Sequence, residues 1–157
     1  MKNLVVALTY FFLLFSCSKK QGENNSPFGQ SVFSEADVKS NWVQLTEQKG
    51  EWIIFEPCEA ANFTIQWKTD TLIIDWGQEA TADVITLIAS EPNTFLLEGS
   101  DVHADPPNHT FRVEPVDSLP GVARWWIMNE KEPRLMVKES LKDKYPFVKE
   151  SCEGMFK

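Results

Sequence analysis

Two aspartates and two histidines lie close together in a proline-rich segment: Asp101, His103, Asp105 and His109. Carboxylate and imidazole groups are ligands for divalent metals. The alternate spacing of the first three occurs in calcium-binding loops, but a central histidine and the following Pro106-Pro107 do not fit such a loop. The alternative is a solvated loop between strands, because zinc sites need three or four convergent ligands. We therefore predict no metal site and keep the four residues as weak candidate ligands.

Aromatic side chains are numerous, with 6 Trp and 11 Phe in 157 residues. They fill a small core efficiently, but they can also line a pocket or stack on sugars. The candidate ligand-binding residues are Trp52, Trp67, Trp76, Trp125 and Trp126. Neighbouring strand residues point to opposite faces, so one of the adjacent pair Trp125 and Trp126 must face outward. If exposed, that side chain is a contact candidate.

Catalytic signatures are missing from the sequence. It contains no Gly-x-Ser-x-Gly elbow and no His-Glu-x-x-His motif, so we predict neither an enzyme nor a cofactor. The formal net charge is −8, without a basic patch for nucleic acid. The acidity also disfavours electrostatic binding to an anionic membrane surface.

The chain starts with the features of a secretory signal. Lys2 precedes an apolar run at residues 4–15, too short to span a bilayer, which takes about 20 residues. Leu14, Ser16 and Cys17 then resemble the lipobox of bacterial lipoproteins. The resemblance implies cleavage of residues 1–16, a diacylglycerol on the Cys17 thiol and acylation of its amino group. The alternative is an ordinary signal peptide with a chance cysteine.

The residues after the cut read as a tether and one domain. Residues 18–27 are polar and aperiodic, as in a flexible tether, and we assign residues 17–34 to the lipidated cysteine and this tether. Residues 35–157 suffice for a single domain with a core. Cleavage removes Lys2 and no acid, so the net charge falls from −8 to −9. Ser18 is not Asp, which in lipoproteins favours the outer membrane. The side that the domain faces stays open.

Lipidation of Cys17 leaves Cys58 and Cys152 in an oxidising compartment. We predict that they form a disulfide, which would attach the C-terminal tail to the start of the domain. The closed loop is long, so the chain-entropy model gives roughly 4–5 kcal/mol of stabilisation. The alternative is two free thiols, since spacing alone does not show proximity.

Short apolar runs with a period of two predict strands at residues 52–55, 63–67, 72–76, 84–89, 95–98, 111–113, 125–128 and 135–137. Such spacing predicts an all-β fold, a small antiparallel barrel or an open sandwich. Ser34 and Asp37, and again Ser140 and Asp143, have the spacing of a helix-start box and predict short flanking helices, the second ending before Pro146. We expect residues 147–152 to pack on the barrel.

One hairpin can be specified in detail. A turn centred on Thr69-Asp70 opposes Trp67 to Leu72, Ile65 to Ile74 and Phe63 to Trp76. All three apolar pairs then share one face, and a slip of one residue would expose that face to water. The register should therefore be strongly specified.

Gly50-Glu51-Trp52 at the start of the first predicted strand resembles the Gly-x-Trp element of lipocalins and related calycin barrels. Residues 84–88 and 94–98 are also similar to the middle hairpins of small lipocalin-like bacterial lipoproteins. The resemblance implies that this element begins the first strand of a barrel and that Trp52 closes one end of it. Asp70-Thr71-Leu72 and Asp117-Ser118-Leu119 resemble the O-glycosylation sequon of secreted Bacteroidetes proteins.

Two functions are compatible with these residues. In the first, a membrane-anchored lipocalin-like domain binds a small apolar ligand in the barrel mouth. In the second, a structural lipoprotein with a filled barrel contacts an envelope protein or glycan. Strand count does not discriminate them, because an eight-stranded barrel can be filled by side chains or hold one small ligand. We predict the ligand-binding domain, and an interior filled by side chains would favour the structural lipoprotein.

Overall fold

The structure is a computed structural model of the chain, and it describes residues 32–101, 108–128 and 130–152. The predicted signal peptide, most of the tether, Cys17, His103 and Asp105 lie outside these residues. The described part is mostly β structure with short helical pieces, which confirms the predicted fold class.

Eight antiparallel strands close into a barrel. Numbered in chain order within the whole fold, they are β1 (Trp42–Gln44), β4 (Thr64–Lys68), β5 (Thr71–Asp75), β6 (Ala80–Glu91), β7 (Thr94–Asp101), β8 (Asn108–Pro115), β9 (Val122–Ile127) and β10 (Arg134–Lys138). The order around the barrel is β1, β10, β9, β8, β7, β6, β5 and β4, and β4 pairs with β1. This closure is consistent with a lipocalin-like barrel and excludes the open sandwich.

Two short helical pieces flank the strands. Helix α1 (Glu35–Val38) begins at the predicted box, in which the Ser34 hydroxyl accepts from the Asp37 N–H and the Asp37 carboxylate accepts from the Ser34 N–H at 2.7 Å. A 3₁₀ helix, Glu139–Lys144, ends before the proline as predicted, but it has no side-chain cap, so the second predicted box is wrong. Within the described ranges, no helix is long and apolar enough to cross a membrane.

A three-stranded side sheet lies outside the barrel, in the order β11 (Phe147–Lys149), β3 (Glu51–Glu56) and β2 (Thr46–Gln48). Lys49 and Gly50 form the β2–β3 turn with φ values of 55° and 84°, the positive values that a two-residue hairpin turn requires. Strand β11 runs parallel to β3. The C-terminal tail is thus a strand of the side sheet, whereas we expected it to pack on the barrel.

The first barrel strand carries Trp42, not Trp52. Residues 42–48 already form β1 and β2, so Gly50 belongs to a turn and Trp52 to the side sheet. The prediction that the Gly-x-Trp element begins the first barrel strand is therefore wrong. Trp42 is fully buried, and its indole N–H donates to the Val38 carbonyl of α1 at 3.1 Å.

The β4–β5 hairpin has the predicted register. Trp67 lies opposite Leu72 and Ile65 lies opposite Ile74. Just beyond the paired residues, the rings of Phe63 and Trp76 meet edge to face, with centroids 5.1 Å apart. Local periodicity was sufficient here because burial of one face penalises every other register.

Apolar side chains form two cores. The first lies inside the barrel. The second lies between the outer face of β1, β9 and β10 and the side sheet, and contains Val43, Leu45, Ile54, Val116, Val122 and Val137. The outer faces of β1 and β10 and the start of β9 are therefore covered as well, and the side sheet is held against the barrel by apolar contact.

Cys58 and Cys152 form the predicted disulfide, with Cα atoms 5.3 Å apart. It joins the segment after β3 to the tail after β11. An ion pair between Lys149 and Glu56 lies close to it along the same two strands. The disulfide therefore closes the parallel β3–β11 pair at its end.

We expect the purified chain to show no thiol labelling at Cys58 or Cys152 until reductant is added. Replacing both residues with serine should lower the free energy of unfolding by about 2–5 kcal/mol, because the crosslink restricts the unfolded chain. Intact mass after labelling and urea unfolding measure the two effects. Cys58→Ser alone is the labelling control, since it frees one thiol; two labelled cysteines in the unreduced native chain would contradict the disulfide.

Candidate functional site

Large apolar side chains occupy the barrel interior. They form one contiguous buried cluster that includes Trp42, Ile65, Leu72, Ile74, Phe95, Leu97, Phe111, Val113, Trp125, Ile127 and Met136. The rings of Trp42 and Trp125 meet edge to face within this cluster, with centroids 5.8 Å apart. An eight-stranded barrel is just wide enough for its own side chains, so this cluster uses the interior volume.

Residues 33–38 cover the barrel end at which β1 begins. The Phe33 ring lies 5.7 Å from that of Phe95 and 6.3 Å from that of Trp42. Lys138, at the end of β10, pairs with Asp37 of α1. Burial acts to raise the pKa of the Asp37 carboxyl, but its hydrogen bonds, led by the one from Lys138, outweigh burial and leave the pKa below its ordinary value.

Arg134 covers the opposite end. Its guanidinium lies 4.3 Å from the ring centroid of Phe63 and 5.1 Å from that of Trp76. It donates three bonds to the Glu130 carboxylate, the shortest of 2.5 Å, and one of 3.1 Å to the Gln44 side chain. Stacking on aromatic faces and forked donation to a carboxylate are both properties of arginine. This network ties β10 to β1 and to the aromatic residues that flank the β4–β5 hairpin.

The five tryptophans predicted to bind a ligand do not share one site. Trp67 and Trp76 are half-buried and pack against the interior cluster, and Trp125 is fully buried within it. Trp126 points outward, as one of the adjacent pair must, and the Arg112 guanidinium lies 3.7 Å from its ring centroid. The fifth tryptophan lies in the side sheet.

An open groove of about 550 Å³ lies between the side sheet and the start of β10. Its lining residues are Gln44, Leu45, Trp52, Glu130, Lys131, Glu132, Pro133, Arg134 and Leu135. The apolar part of the lining comes from Leu45, Trp52, Pro133 and Leu135, and the other lining residues include charges of both signs. Trp52 is therefore placed at a concave surface, although outside the barrel in which we predicted a ligand.

The candidate metal ligands that are described lie on strands, not in a loop as predicted. Asp101 ends β7 and His109 lies in β8. Within the described part of the chain, no three His, Cys, Asp or Glu side chains are placed to hold a metal ion. Instead, His109 Nδ1 lies 2.7 Å from Oδ1 of Asp83 in β6. We did not predict Asp83; its signal was a carboxylate two residues before Ile85, on the inward face that the two residues share.

Comparison with known proteins yields no relative for this chain. No protein-family model matches it, and no curated protein or solved structure gives a match. The barrel interior, the groove and the Asp83–His109 pair are therefore the features that can indicate a function.

Proposed function

We propose that this protein is a lipoprotein of the bacterial cell envelope, anchored by lipid on Cys17, whose filled barrel holds an external groove in place for a partner protein. The lipobox resemblance and Ser18 support an outer-membrane anchor. The contiguous cluster of large buried side chains inside the described barrel is the observation that carries the functional choice. The proposal includes no reaction and no cofactor.

A carrier of small apolar ligands needs an empty interior volume. Here Trp42, Phe111 and Trp125 are fully buried in the barrel, while Phe33 lies over one end and Arg134 over the other. A ligand inside would have to displace packed aromatic groups, whose loss costs several kcal/mol. This packing supports an interaction protein over the carrier adopted from sequence.

The groove has the composition of a small protein interface. Leu45, Trp52 and Leu135 supply an apolar centre, and Lys131 and Glu132 are exposed at the rim. Interfaces combine such a centre with a polar rim, and tryptophan often contributes much of the binding energy. We therefore propose a partner segment with an apolar side chain at its centre and charges of both signs beside it. A glycan is the less favoured occupant, because Trp52 is the single aromatic among the groove residues described.

We expect a photo-crosslinker at Glu132 to capture a discrete partner in the producing cell. Trp52→Ala should reduce that crosslink at least tenfold, since losing a central tryptophan costs about 2 kcal/mol or more. Trp126→Ala is the matched control. Trp126 is also a half-buried tryptophan, but it lies on the outer face of β9 and is not a lining residue of the groove. Circular dichroism verifies that both variants fold.

Equal crosslinking in both variants would contradict the groove. Native mass spectrometry of delipidated protein from its own host tests the carrier function separately. A stoichiometric small molecule that survives Trp52→Ala would overturn the filled-barrel proposal, and a bound oligosaccharide lost with Trp52 would favour a glycan instead.

A further inference from the structure

The hydrogen bond between Asp83 of β6 and His109 of β8, here called the Asp83–His109 bridge, passes over a strand. Strand β7 lies between β6 and β8, and its residue at this level is Gly99, opposite both Ile85 and His109. A Cβ on Gly99 would lie 2.9 Å from the Asp83 Cβ and 3.0 Å from Ile85 Cδ1. Glycine is thus required here for space, and it allows side chains two strands apart to meet.

The bridge places an ionisable group in an apolar interior. Asp83 is 0% exposed and the His109 side chain 17%, and Asp83 Oδ2 has no hydrogen-bond partner among the described residues. Opposite Asp83, β5 presents Leu72 and β7 presents Asp101. Burial raises the pKa of the Asp83 carboxyl above its ordinary 3.8, His109 opposes this by hydrogen bonding and charge, and the Asp101 carboxylate adds to it.

We propose that the stability of the barrel end formed by β6, β7 and β8 is proton-dependent through the Asp83–His109 bridge: this end is more stable when the Asp83 carboxyl is protonated than when it is ionised. The geometric basis is a buried carboxyl that joins two non-adjacent strands over a glycine, with one oxygen unpaired among the described residues. Ionisation places a charge on a buried carboxylate that, within the described part of the chain, has a partner at Oδ1 only, and a buried charge that is not fully hydrogen-bonded is costly.

The direction of the pH dependence follows from linkage. The folded chain holds the Asp83 proton more tightly than the unfolded chain, so this stabilisation is complete below about pH 3.8 and is lost as pH rises through the raised folded pKa. Asp37, at the other end, has a lowered pKa, so its stabilisation is lost as pH falls. The two barrel ends therefore respond to pH in opposite directions.

The test compares the wild-type mature chain with Asp83→Asn, which removes the charge and keeps the size and one acceptor oxygen. The difference in Tm, variant minus wild type, should grow by about 3 °C or more between pH 4 and pH 8. Any packing cost of the amide is the same at every pH, so the slope of the Tm difference against pH reports the ionisation of the Asp83–His109 bridge. Glu98→Gln, an exposed outward position on β7, is the matched control and should give a flat difference.

Hydrogen exchange, expressed as protection factors, locates the effect. With rising pH, wild-type amides in β6–β8 should lose up to about tenfold protection per pH unit relative to Asp83→Asn, while β1 and β4 should not. His109→Gln should steepen the dependence, because it removes the charge that opposes the shift. A flat Tm difference, equal loss of protection in every strand, or a shallower slope in His109→Gln would each overturn the proposal.

Discussion

Cys17→Ser is expected to release the protein from the membrane fraction or to leave it as an uncleaved precursor. The thiol is the proposed site of the diacylglycerol, and serine offers no sulfur for that bond. One acyl chain gives only marginal membrane binding, whereas two or more give stable anchoring. The loss should be nearly complete, because the acidic domain, part of a chain with a net charge of −8, has little attraction for an anionic membrane surface.

Membrane fractionation and intact mass together measure this effect. Ser18→Ala is the neighbouring control: it leaves Leu14, Ser16 and Cys17 in place and should be cleaved, lipidated and retained in the membrane fraction. A Cys17→Ser protein that fractionates and migrates like wild type would show that Cys17 does not carry the anchor.

Trp42→Ala should lower the free energy of unfolding by about 3–5 kcal/mol, the range for removing a fully buried large aromatic side chain. Trp42 packs against Trp125 with ring centroids 5.8 Å apart, and its N–H donates to Val38 of α1. The substitution therefore opens a cavity in the barrel and also removes the bond that holds the helix over its end.

Urea unfolding monitored by circular dichroism measures the loss, and Trp52→Ala is the comparison. Trp52 is half-buried beside the groove, so its removal should cost less than half as much. A larger loss for Trp52→Ala than for Trp42→Ala would mean that Trp52 closes the barrel, as the Gly-x-Trp resemblance implied.

Sequence patterns were most informative where neighbouring residues determine the outcome. The Ser34–Asp37 box spans one turn of helix, and the alternation on either side of Thr69-Asp70 sets the β4–β5 register. The absence of β1, β2 and β11 from the predictions has the opposite cause. Each has three residues, too few for a recognisable period, and is defined by its partners instead.

Distant pairing decided the rest. Strand β1 lies between β10 and β4, so Trp42 became the tryptophan of the first barrel strand although the short motif was at Trp52. Asp83 and His109 are 26 positions apart and meet because β7 passes between them with a glycine at the crossing.

The sequence by itself determined the strand periodicity, the hairpin register and the all-β class, because each depends on local pattern. It predicted the Cys58–Cys152 pairing, and the structure brought the two cysteines together. Only the tertiary structure decided which side chains share the barrel interior, where the groove lies and which carboxyl is buried beside an imidazole. These properties depend on how side-chain volumes from eight strands share one enclosed space. The total side-chain volume in that space depends on barrel closure, which no single segment encodes.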